Sequence, residues 1–256
     1  MKYFIYSNKD EKSVKVRKTI INHLNGEGFI YDEENPNIVI TVGGDGCFLR
    51  CVQHFKDKLN SISFVGISTG SLGFVCDFTA DEVDKLIDAI INNQPRYEAN
   101  KLLEVTYRDN TYYFFNEFRL ESIFNTLNLA IYVNGDKFES FKGKGVCIAT
   151  PFGSTAYNKS LGGPIVHPRL PSLIFGKIAP IDSKISNTIN SFILFRHYDV
   201  ITIKGNFNDC VFGGDAAYQN ITSTDIEEIK VTTSQTAVIF ARYHSADYYK
   251  RVKRSF

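Results

Sequence analysis

Residues 39–49 read Val39-Ile40-Thr41-Val42-Gly43-Gly44-Asp45-Gly46-Cys47-Phe48-Leu49. The apolar, β-branched start of this segment predicts a buried strand. The glycines that follow let backbone N–H groups approach a bound phosphate because they carry no Cβ, and the helix predicted after them would direct its N-terminus at the same anion. A carboxylate is unexpected in such a turn unless it has a chemical task. We therefore predict that Asp45 is a general base that removes a proton from a hydroxyl near those phosphates.

The composition predicts a cytoplasmic protein that binds neither nucleic acid nor membranes. The 256 residues contain 29 Lys and Arg against 28 Asp and Glu, a balance that offers no electrostatic attraction to nucleic acid. No apolar run approaches the ~18 residues of a membrane span. The five cysteines are odd in number and contain no CxxC pair, which favours a reducing cytoplasm over a disulfide framework.

The first part of the chain alternates predicted strands with predicted helices. The strands are predicted at Lys2–Ser7, Ile38–Val42 and Ser63–Ile67, and the first two helices at Lys12–Leu24 and Phe48–Leu59. A third helix is expected after a capping box formed by Thr79 and Glu82. This alternation predicts an α/β domain over residues 1–98, with a parallel sheet covered by helices.

After Pro95 the pattern changes to successive strands. Asn134-Gly135 between two alternating runs is a strong signal for a two-residue hairpin. We predict an antiparallel, all-β domain over residues 99–242, and we expect the basic, aromatic tail 243–256 to pack back on the first domain. The predicted strands are Leu102–Tyr107, Tyr112–Glu121, Leu129–Val133, Lys137–Phe141, Val146–Thr150, Phe192–Phe195, Asp199–Lys204, Cys210–Phe212, Ile229–Thr233 and Ala237–Arg242.

Other segments combine glycine and polar residues in ways that suit a nucleotide. Asn116 and Glu117 lie within a predicted strand, where they either form hydrogen bonds or face solvent. Lys142-Gly143-Lys144-Gly145 suits contact with an anion, and an ordinary basic turn has the same composition. Residues 150–164 place a Gly-Ser-Thr turn before a short helix, with Tyr157 available to stack on a base, and the alternative is an N-capped helix. Gly213-Gly214-Asp215 is predicted to be a turn, with a polar contact as the second interpretation.

Several familiar nucleotide-binding patterns are missing from the sequence. There is no GxxxxGK[ST] and no GxGxxG with an acidic residue about 20 positions later, so neither a P-loop enzyme nor the dinucleotide fingerprint is indicated. The sequence also lacks HExxH, GxSxG and HRD, and its five His residues show no metal-binding spacing.

The sequence resembles the NAD kinase family in motifs that run nearly from end to end. They are Gly43-Gly44-Asp45-Gly46, Thr69-Gly70-x-Leu72-Gly73-Phe74, Asn116-Glu117, Thr150-Pro151-x-Gly153-Ser154-Thr155-Ala156-Tyr157-Asn158 and, in the tail, Ala241-Arg242 and Lys250-Arg251-Val252. The resemblance implies an N-terminal Rossmann-like α/β domain with a parallel sheet, which carries the GGDG loop, and a C-terminal β-sandwich-like domain. It also implies phosphorylation of the adenosine-ribose 2′-hydroxyl of NAD to NADP, with ATP or polyphosphate as phosphoryl donor, a divalent cation such as Mg²⁺ as cofactor, and a homodimer or homotetramer.

The same resemblance assigns roles to individual residues. Asp45 matches the catalytic base, and Gly43, Gly44 and Gly46 form the phosphate-binding loop. Where the family commonly has Arg-Gly-Asp-Gly, this chain has Lys142-Gly143-Lys144-Gly145, so Lys144 reverses the charge of an expected carboxylate. The residues that match contacts to NAD or nucleotide are Gly46, Phe74, Asn116, Glu117, Lys142, Lys144, Thr155, Ala156, Tyr157, Asn158, Ser160 and Ala179.

Two other functions are compatible with the sequence. The charge reversal at Lys144 favours a non-catalytic NAD(P)-binding sensor that has kept the binding residues. Lipid kinases and sugar-phosphate kinases of the GGDG type share the glycine–Asp motif, and the run from Thr150 to Tyr157 argues against their acceptors.

Overall fold

The computed structural model describes residues 1–71, 73–181, 188–215, 217–221, 225–243 and 248–256, without the side chain of Arg254. Leu72 of the family motif and residues 244–247 of the predicted tail lie outside the described residues. The chain forms two compact units, one of Met1–Asn100 with Thr236–Phe256 and the other of Lys101–Gln235.

The first unit is built on a parallel sheet, as the alternating pattern predicts. Its strands are β1 (Lys2–Ser7), β2 (Ile30–Tyr31), β3 (Ile38–Val42), β4 (Ser63–Ser68), β5 (Phe78–Thr79) and the end of β17 (Ile226–Arg242). Their order is β2-β1-β3-β4, and both β5 and the end of β17 pair in parallel with β4. All residues of β3 are buried, which explains its uninterrupted apolar run.

The helices of the described residues are α1 (Glu11–Gly26), α2 (Asp45–His54), α3 (Val83–Asn92), α4 (Tyr157–Ser160) and α5 (Tyr248–Ser255). The predicted capping box is confirmed just before α3, because the N–H of Thr79 donates to the Glu82 carboxylate while the Thr79 side chain accepts the backbone N–H of Glu82. α2 begins at Asp45 and not at the predicted Phe48, because Gly44 takes the extended conformation of an N-cap. Asp45 therefore occupies the first turn of a helix.

Two apolar clusters support the first unit. One joins α1, α3 and the sheet, and its members include Ile20, Leu24, Ile40, Leu86 and Ile90. In the other, the ring of Phe48 from α2 stacks on Phe240 with the ring centroids 5.1 Å apart and meets the edge of Phe64 at 5.8 Å. The helix that begins at Asp45 is thus anchored through its own apolar face.

The second unit consists of antiparallel strands that share one core, which confirms the β-sandwich-like prediction. One sheet has the order β13-β12-β11-β8-β15-β16, the other contains β10-β9-β14-β17, and β6 forms a hairpin with β7. Both sheets contribute to the core, through residues such as Leu120 and Ile148 on one side and Ile131 and Ile203 on the other. The strands are β6 (Arg96–Tyr107), β7 (Asn110–Phe114), β8 (Glu117–Ser122), β9 (Leu127–Val133), β10 (Asp136–Gly143), β11 (Gly145–Ala149), β12 (Ser172–Ile178), β13 (Ile193–Arg196), β14 (Ile201–Asn206), β15 (Cys210–Gly214) and β16 (Ala217–Ile221).

The hairpin between β9 and β10 is confirmed. Val133 pairs with Asp136 across the turn, and Asn134 and Gly135 have φ angles of 53° and 93°. Both central residues of this turn type need positive φ, which asparagine and glycine tolerate best.

The structure corrects three parts of the strand prediction. The expected strand over residues 112–121 is divided at Phe115 and Asn116, whose N–H groups donate to Asp215 in place of a neighbouring strand. β12 and β16 were not predicted from the sequence pattern. The two strands expected over residues 229–242 form the single β17, and its end from Thr236 onward belongs to the first unit because it pairs with β4.

A buried ion pair crosses the second unit. Lys177 Nζ lies 2.6 Å from Glu139 Oε1, and the two side chains are only 3% and 4% exposed. Both also bind the backbone of Ile189, since Lys177 donates to its carbonyl and Glu139 Oε2 accepts its N–H at 3.3 Å. The pair thus joins β10 and β12 to the segment that precedes β13.

Replacing Glu139 with Gln is expected to lower the free energy of unfolding by roughly 3 to 5 kcal/mol, because it leaves the charge of Lys177 buried without a counter-charge. The control is Glu228→Gln, which removes a carboxylate from exposed ion pairs with Lys204 and Lys230, both at 3.0 Å. That change should cost no more than about 1 kcal/mol. Urea denaturation measures both values, and equal losses would contradict the prediction.

Candidate active site

The glycine turn leads directly into α2, and the half-buried Asp45 is the first residue of that helix. Gly43 is buried at the end of β3, Gly44 is the N-cap, and Gly46 is exposed. A Cβ added to Gly44 would meet nothing within 4 Å, so the protein itself does not require glycine there. The open space around this residue agrees with a turn whose N–H groups approach an external anion.

The Asp45 carboxylate is held by the loop that follows β4. Its Oδ2 accepts the N–H of Phe74 at 2.9 Å and its Oδ1 accepts the N–H of Val75 at 3.3 Å. A Cβ added to Gly73 would lie 2.2 Å from Oδ1, so the carboxylate rests against the bare backbone of that glycine. Two N–H donors on different oxygens fix the orientation of the carboxylate.

In the second unit, Asp215 organises the backbone that carries Asn116 and Glu117. Its two oxygens accept the N–H groups of Phe115 at 2.6 Å and of Asn116 at 2.7 Å. Asp215 has a φ of 51° in the tight turn between β15 and β16. Gly213 and Gly214 instead end β15, so only Asp215 lies in the predicted turn, where it makes the polar contact of the second interpretation.

Glu117 is an acid whose environment favours the protonated form. The residue is 5% exposed, and its Oε2 has no hydrogen-bond partner in the described part of the chain. Burial raises the pKa of Glu117 to about 7, and the negative charge of Asp215 adds to this effect. Burial also raises the pKa of Asp215 to about 6, against the opposing effect of the N–H groups that it accepts.

The loop after β11 folds against Asn116 through its small residues. Thr150 Oγ1 donates to the carbonyl of Phe115 at 2.8 Å and accepts the N–H of Gly153 at 3.0 Å. A Cβ added to Gly153 would lie 2.0 Å from the carbonyl oxygen of Asn116, so only glycine permits this packing. The motif residues and the Asn116-Glu117 pair are therefore neighbours in space.

Two buried polar side chains close the same loop. Ser154 Oγ exchanges hydrogen bonds with the backbone of Val166, and Asn158 Nδ2 donates to the carbonyls of Ser154 and Pro164 at 3.0 Å each. Asn158 is 1% exposed, so the structure gives its side chain a role within the loop. The predicted contacts that remain accessible here are Thr155, Ala156 and Tyr157, which are half-buried, and Ser160, which is exposed.

Arg119 adds a positive charge that was not predicted from the sequence. Its guanidinium carbon lies 4.1 Å from the centroid of the Tyr157 ring, and Nη1 lies 3.2 Å from Glu121 Oε1. A cation over the ring fixes its plane. Arg119 and Glu121 alternate with buried residues of β8, and no sequence pattern connected them to Tyr157.

The structure also brings together Lys142, Lys144 and Ala179. The N–H of Lys144 donates to the carbonyl of Ile178 at 2.9 Å, and the carbonyl of Lys142 accepts the N–H of Ile181 at 2.8 Å. Lys142 and Ala179 are exposed, and Ala179 has a φ of 42°.

The side-chain amine of Lys144 is occupied within the protein. It donates to the carbonyls of Ile123, Phe124 and Asn125 at 3.4, 2.8 and 3.2 Å. An ammonium group has three donors, so these contacts use its capacity. Lys144, whose charge reversal favours a binding-only protein, therefore uses its amine to anchor the neighbouring loop.

The described residues contain no group of three or more His, Cys, Asp or Glu side chains placed to hold a metal ion. None of the helices in the same residues has the length and apolar character needed to span a bilayer.

Comparison with known proteins gives a consistent result over the whole chain. The ATP-NAD kinase N-terminal domain matches residues 7–95, and the ATP-NAD kinase C-terminal domain matches residues 116–242. NAD kinase 1 of Listeria monocytogenes is 34% identical over 262 residues, an alignment that covers 100% of this chain and 99% of that relative. The chain belongs to the NAD kinase family.

Solved structures share the fold of this NAD kinase family member. A yeast NADH kinase complexed with NADH aligns with a TM-score of 0.85 at 20% identity, over 99% of this chain and 86% of that one. An NAD kinase from Archaeoglobus fulgidus in complex with ATP aligns with a TM-score of 0.80 at 21% identity, over 100% of both chains.

Replacing Gly73 with Ala is expected to reduce the rate of phosphoryl transfer by about tenfold or more, because the new Cβ displaces the Asp45 carboxylate from its N–H donors. The measurement is kcat for NADP formation from NAD and ATP. Gly70→Ala is the control, since a Cβ at Gly70 would meet nothing within 4 Å. Full activity of Gly73→Ala would contradict the expected displacement.

Replacing Glu117 with Gln is expected to stabilise the protein at alkaline pH. A folded-state pKa of about 7 lies above the unfolded value, so the stability linked to this proton is complete in acid and is lost as pH rises through about 7. Glu117→Gln should therefore gain roughly 2 kcal/mol over the wild type between about pH 5 and about pH 8. Urea denaturation across this range measures the difference.

The control for this pH series is Glu228→Gln. Lys204 and Lys230 lower the pKa of Glu228, so its contribution is present above its unfolded pKa and disappears in acid. This variant should lose stability relative to the wild type at alkaline pH. A pH-independent difference at Glu117 would contradict the raised pKa.

Proposed function

We propose that the protein transfers the γ-phosphoryl group of ATP to the adenosine-ribose 2′-hydroxyl of NAD and so forms NADP. The observation that carries the proposal is the carboxylate of Asp45, oriented by two N–H groups at the end of a glycine turn. Full-length relatives such as NAD kinase 1 of Listeria monocytogenes support the choice of NAD as acceptor.

We assign Asp45 as the general base. In the reaction, its carboxylate takes the proton of the 2′-hydroxyl while that oxygen bonds to the γ-phosphorus of ATP. The bond from the γ-phosphorus to the β–γ bridging oxygen breaks, ADP leaves, and the proton later passes from Asp45 to water. A positioned base contributes roughly 10²- to 10⁴-fold to such a step. The remaining catalysis comes from orientation and charge neutralisation.

The donor phosphates are assigned to Gly43, Gly44 and Gly46. The open space at Gly44 and the N-terminus of the ten-residue α2 suit an anion. We propose a divalent cation such as Mg²⁺ as the cofactor, entering with the phosphates of ATP, which is the usual mode for Mg²⁺.

We assign the adenosine end of NAD to Asn116, Glu117, Thr155, Ala156, Tyr157 and Ser160. The Tyr157 ring, held under Arg119, offers a flat surface for a base. The unpartnered Glu117 Oε2 offers a hydrogen bond, as donor when protonated and as acceptor when ionised. Contacts by Phe74, Lys142, Asn158 and Ala179 with NAD or nucleotide remain predictions. For Lys144 we retain only a backbone contact, since its amine binds carbonyls.

We also propose a cytoplasmic location and assembly into a homodimer or homotetramer. All five cysteines are free and buried, which suits a reducing compartment. The assembly rests on the family resemblance, and sedimentation of the purified protein measures it.

Asp45→Asn should keep the fold and lower kcat for NADP formation by about 10²- to 10⁴-fold, because an amide cannot accept the hydroxyl proton. Asp57→Asn, at an exposed position outside the site, serves as the control. NADP is measured by a coupled assay with NAD and ATP, another nucleoside triphosphate or polyphosphate as donor. Wild-type rates for Asp45→Asn would exclude Asp45 as the base.

The acceptor is tested separately. Wild-type protein that forms no NADP with any of these donors would overturn the kinase proposal. Calorimetry showing tight NAD binding without turnover would then select the sensor. Turnover of diacylglycerol or fructose 6-phosphate would select a different GGDG-type kinase.

A further inference from the structure

A buried charged cluster lies behind the loop that holds Asp45. It consists of Asp77, Arg242 and Arg251, which are 9%, 8% and 7% exposed. Asp77 Oδ1 accepts Arg242 Nη1 at 2.7 Å and Arg251 Nη2 at 2.8 Å. Two guanidinium groups therefore share one carboxylate oxygen, and Nη1 of each also donates to backbone carbonyls of residues 73–76.

The contacts of Arg251 coincide with the contacts of Asp45 on the same peptide groups. In the peptide between Gly73 and Phe74, the carbonyl accepts Arg251 Nη1 at 3.3 Å and the N–H donates to Asp45 at 2.9 Å. In the peptide between Phe74 and Val75, the carbonyl accepts Arg251 Nη1 at 3.1 Å and the N–H donates to Asp45 at 3.3 Å. Arg251 also donates to the carbonyl of Cys76.

This arrangement places two peptide dipoles between a cation and an anion. The guanidinium draws electron density toward each carbonyl oxygen, which makes the N–H at the other end a stronger donor. Both ends are charge-assisted hydrogen bonds, and the two N–H groups of Arg251 Nη1 are shared among the carbonyls of Gly73, Phe74 and Cys76. The position of the two N–H groups, and through them the Asp45 carboxylate, thus depends on Arg251.

α5, the helix that carries Arg251, also contacts the loop through aromatic rings. The Phe74 ring lies 6.2 Å from Phe256 and 6.3 Å from Tyr248, measured between ring centroids. These contacts and those of Arg251 connect the first residue of α5, its middle and the residue after its end to the loop. The C-terminal helix is therefore a structural support of the candidate base.

We propose that Arg251 is a positioning residue that sets the orientation of the Asp45 carboxylate through the two peptide groups between Gly73 and Val75. The proposal rests on the proposed function of Asp45 as the base. It extends the reaction machinery to the last turns of the chain, far from the glycine motif in sequence.

Arg242 provides a matched control. It is buried to the same degree, binds the same Asp77 oxygen and donates to a carbonyl of the same loop, that of Val75 at 3.0 Å. That carbonyl belongs to the peptide between Val75 and Cys76, which lies beyond the two peptides that hold Asp45. A change at Arg242 should disturb stability as much as a change at Arg251 without the same effect on the base.

The experiment compares Arg251→Gln, Arg251→Lys and Arg242→Gln by kcat, by KM for NAD and ATP, and by thermal unfolding. Arg251→Gln is expected to lower kcat by about tenfold to a hundredfold with KM changed by less than about twofold. Arg251→Lys keeps the charge without the fork and should recover part of kcat. Arg242→Gln should show a similar change in Tm and a kcat close to the wild type.

The second measurement places Arg251→Gln in the Asp45→Asn background. If Arg251 acts through the carboxylate, the added loss in kcat should be less than about twofold, because the orientation of a base no longer matters. An equal loss with and without Asp45, or an equal loss from Arg242→Gln, would overturn the proposal. Failure of wild-type protein to form NADP is a separate result that concerns the proposed function.

Heteronuclear NMR supplies a readout that does not need activity. Arg251→Lys, the variant closest to the native residue, should shift the amide protons of Phe74 and Val75, as Asp45→Asn does. Arg242→Gln should shift these two signals less, because the carbonyl that it releases belongs to the next peptide group. Unchanged Phe74 and Val75 signals in Arg251→Lys would overturn the proposal even if kcat had fallen.

Discussion

The candidate active site of the first unit depends on a carboxylate that must be held in one orientation at the start of a helix. The N-terminus of α2 stabilises negative charge, but the helix alone leaves the side chain of Asp45 free to rotate. The N–H groups of Phe74 and Val75 remove that freedom, and the missing Cβ of Gly73 allows the loop to come close enough. The sheet contributes by ending β3 and β4 side by side, so that the turn and the loop leave from neighbouring strands.

In the second unit, buried polar side chains bind backbone groups that lie outside the strands. Thr150, Ser154, Asn158 and Asp215 each bind backbone groups of a loop that lacks a strand partner. Backbone N–H and carbonyl groups are costly when they are buried and unpaired, so these side chains allow irregular backbone to lie in the interior. Glu117 differs from these four side chains, with one oxygen left unpaired and a raised pKa. A buried acid with an unpaired oxygen and a raised pKa, beside accessible residues such as Tyr157, is typical of a binding site.

Much of the fold and the core of the site could be predicted from local patterns. The parallel and antiparallel units, the Thr79–Glu82 capping box and the Asn134-Gly135 hairpin all depend on residues a few positions apart. The split at Phe115 could not be predicted, because its cause is Asp215, 100 residues later. Arg251 is 178 residues from Gly73, and no periodicity connects them. The role of Arg119 could not be predicted for the same reason, since this residue occupies an ordinary alternating position on a strand.

By itself, the sequence determined most of the elements and the two fold classes, the glycine turn and the identity of Asp45 as its one carboxylate. Hydrophobic periodicity, helix capping and turn chemistry act between residues close in sequence, so they can be recognised without knowledge of the fold. Only the tertiary structure decided which groups hold that carboxylate, and that the amine of Lys144 binds three carbonyls. Hydrogen bonds and burial depend on where distant segments meet, and that meeting is set by the packing of whole elements.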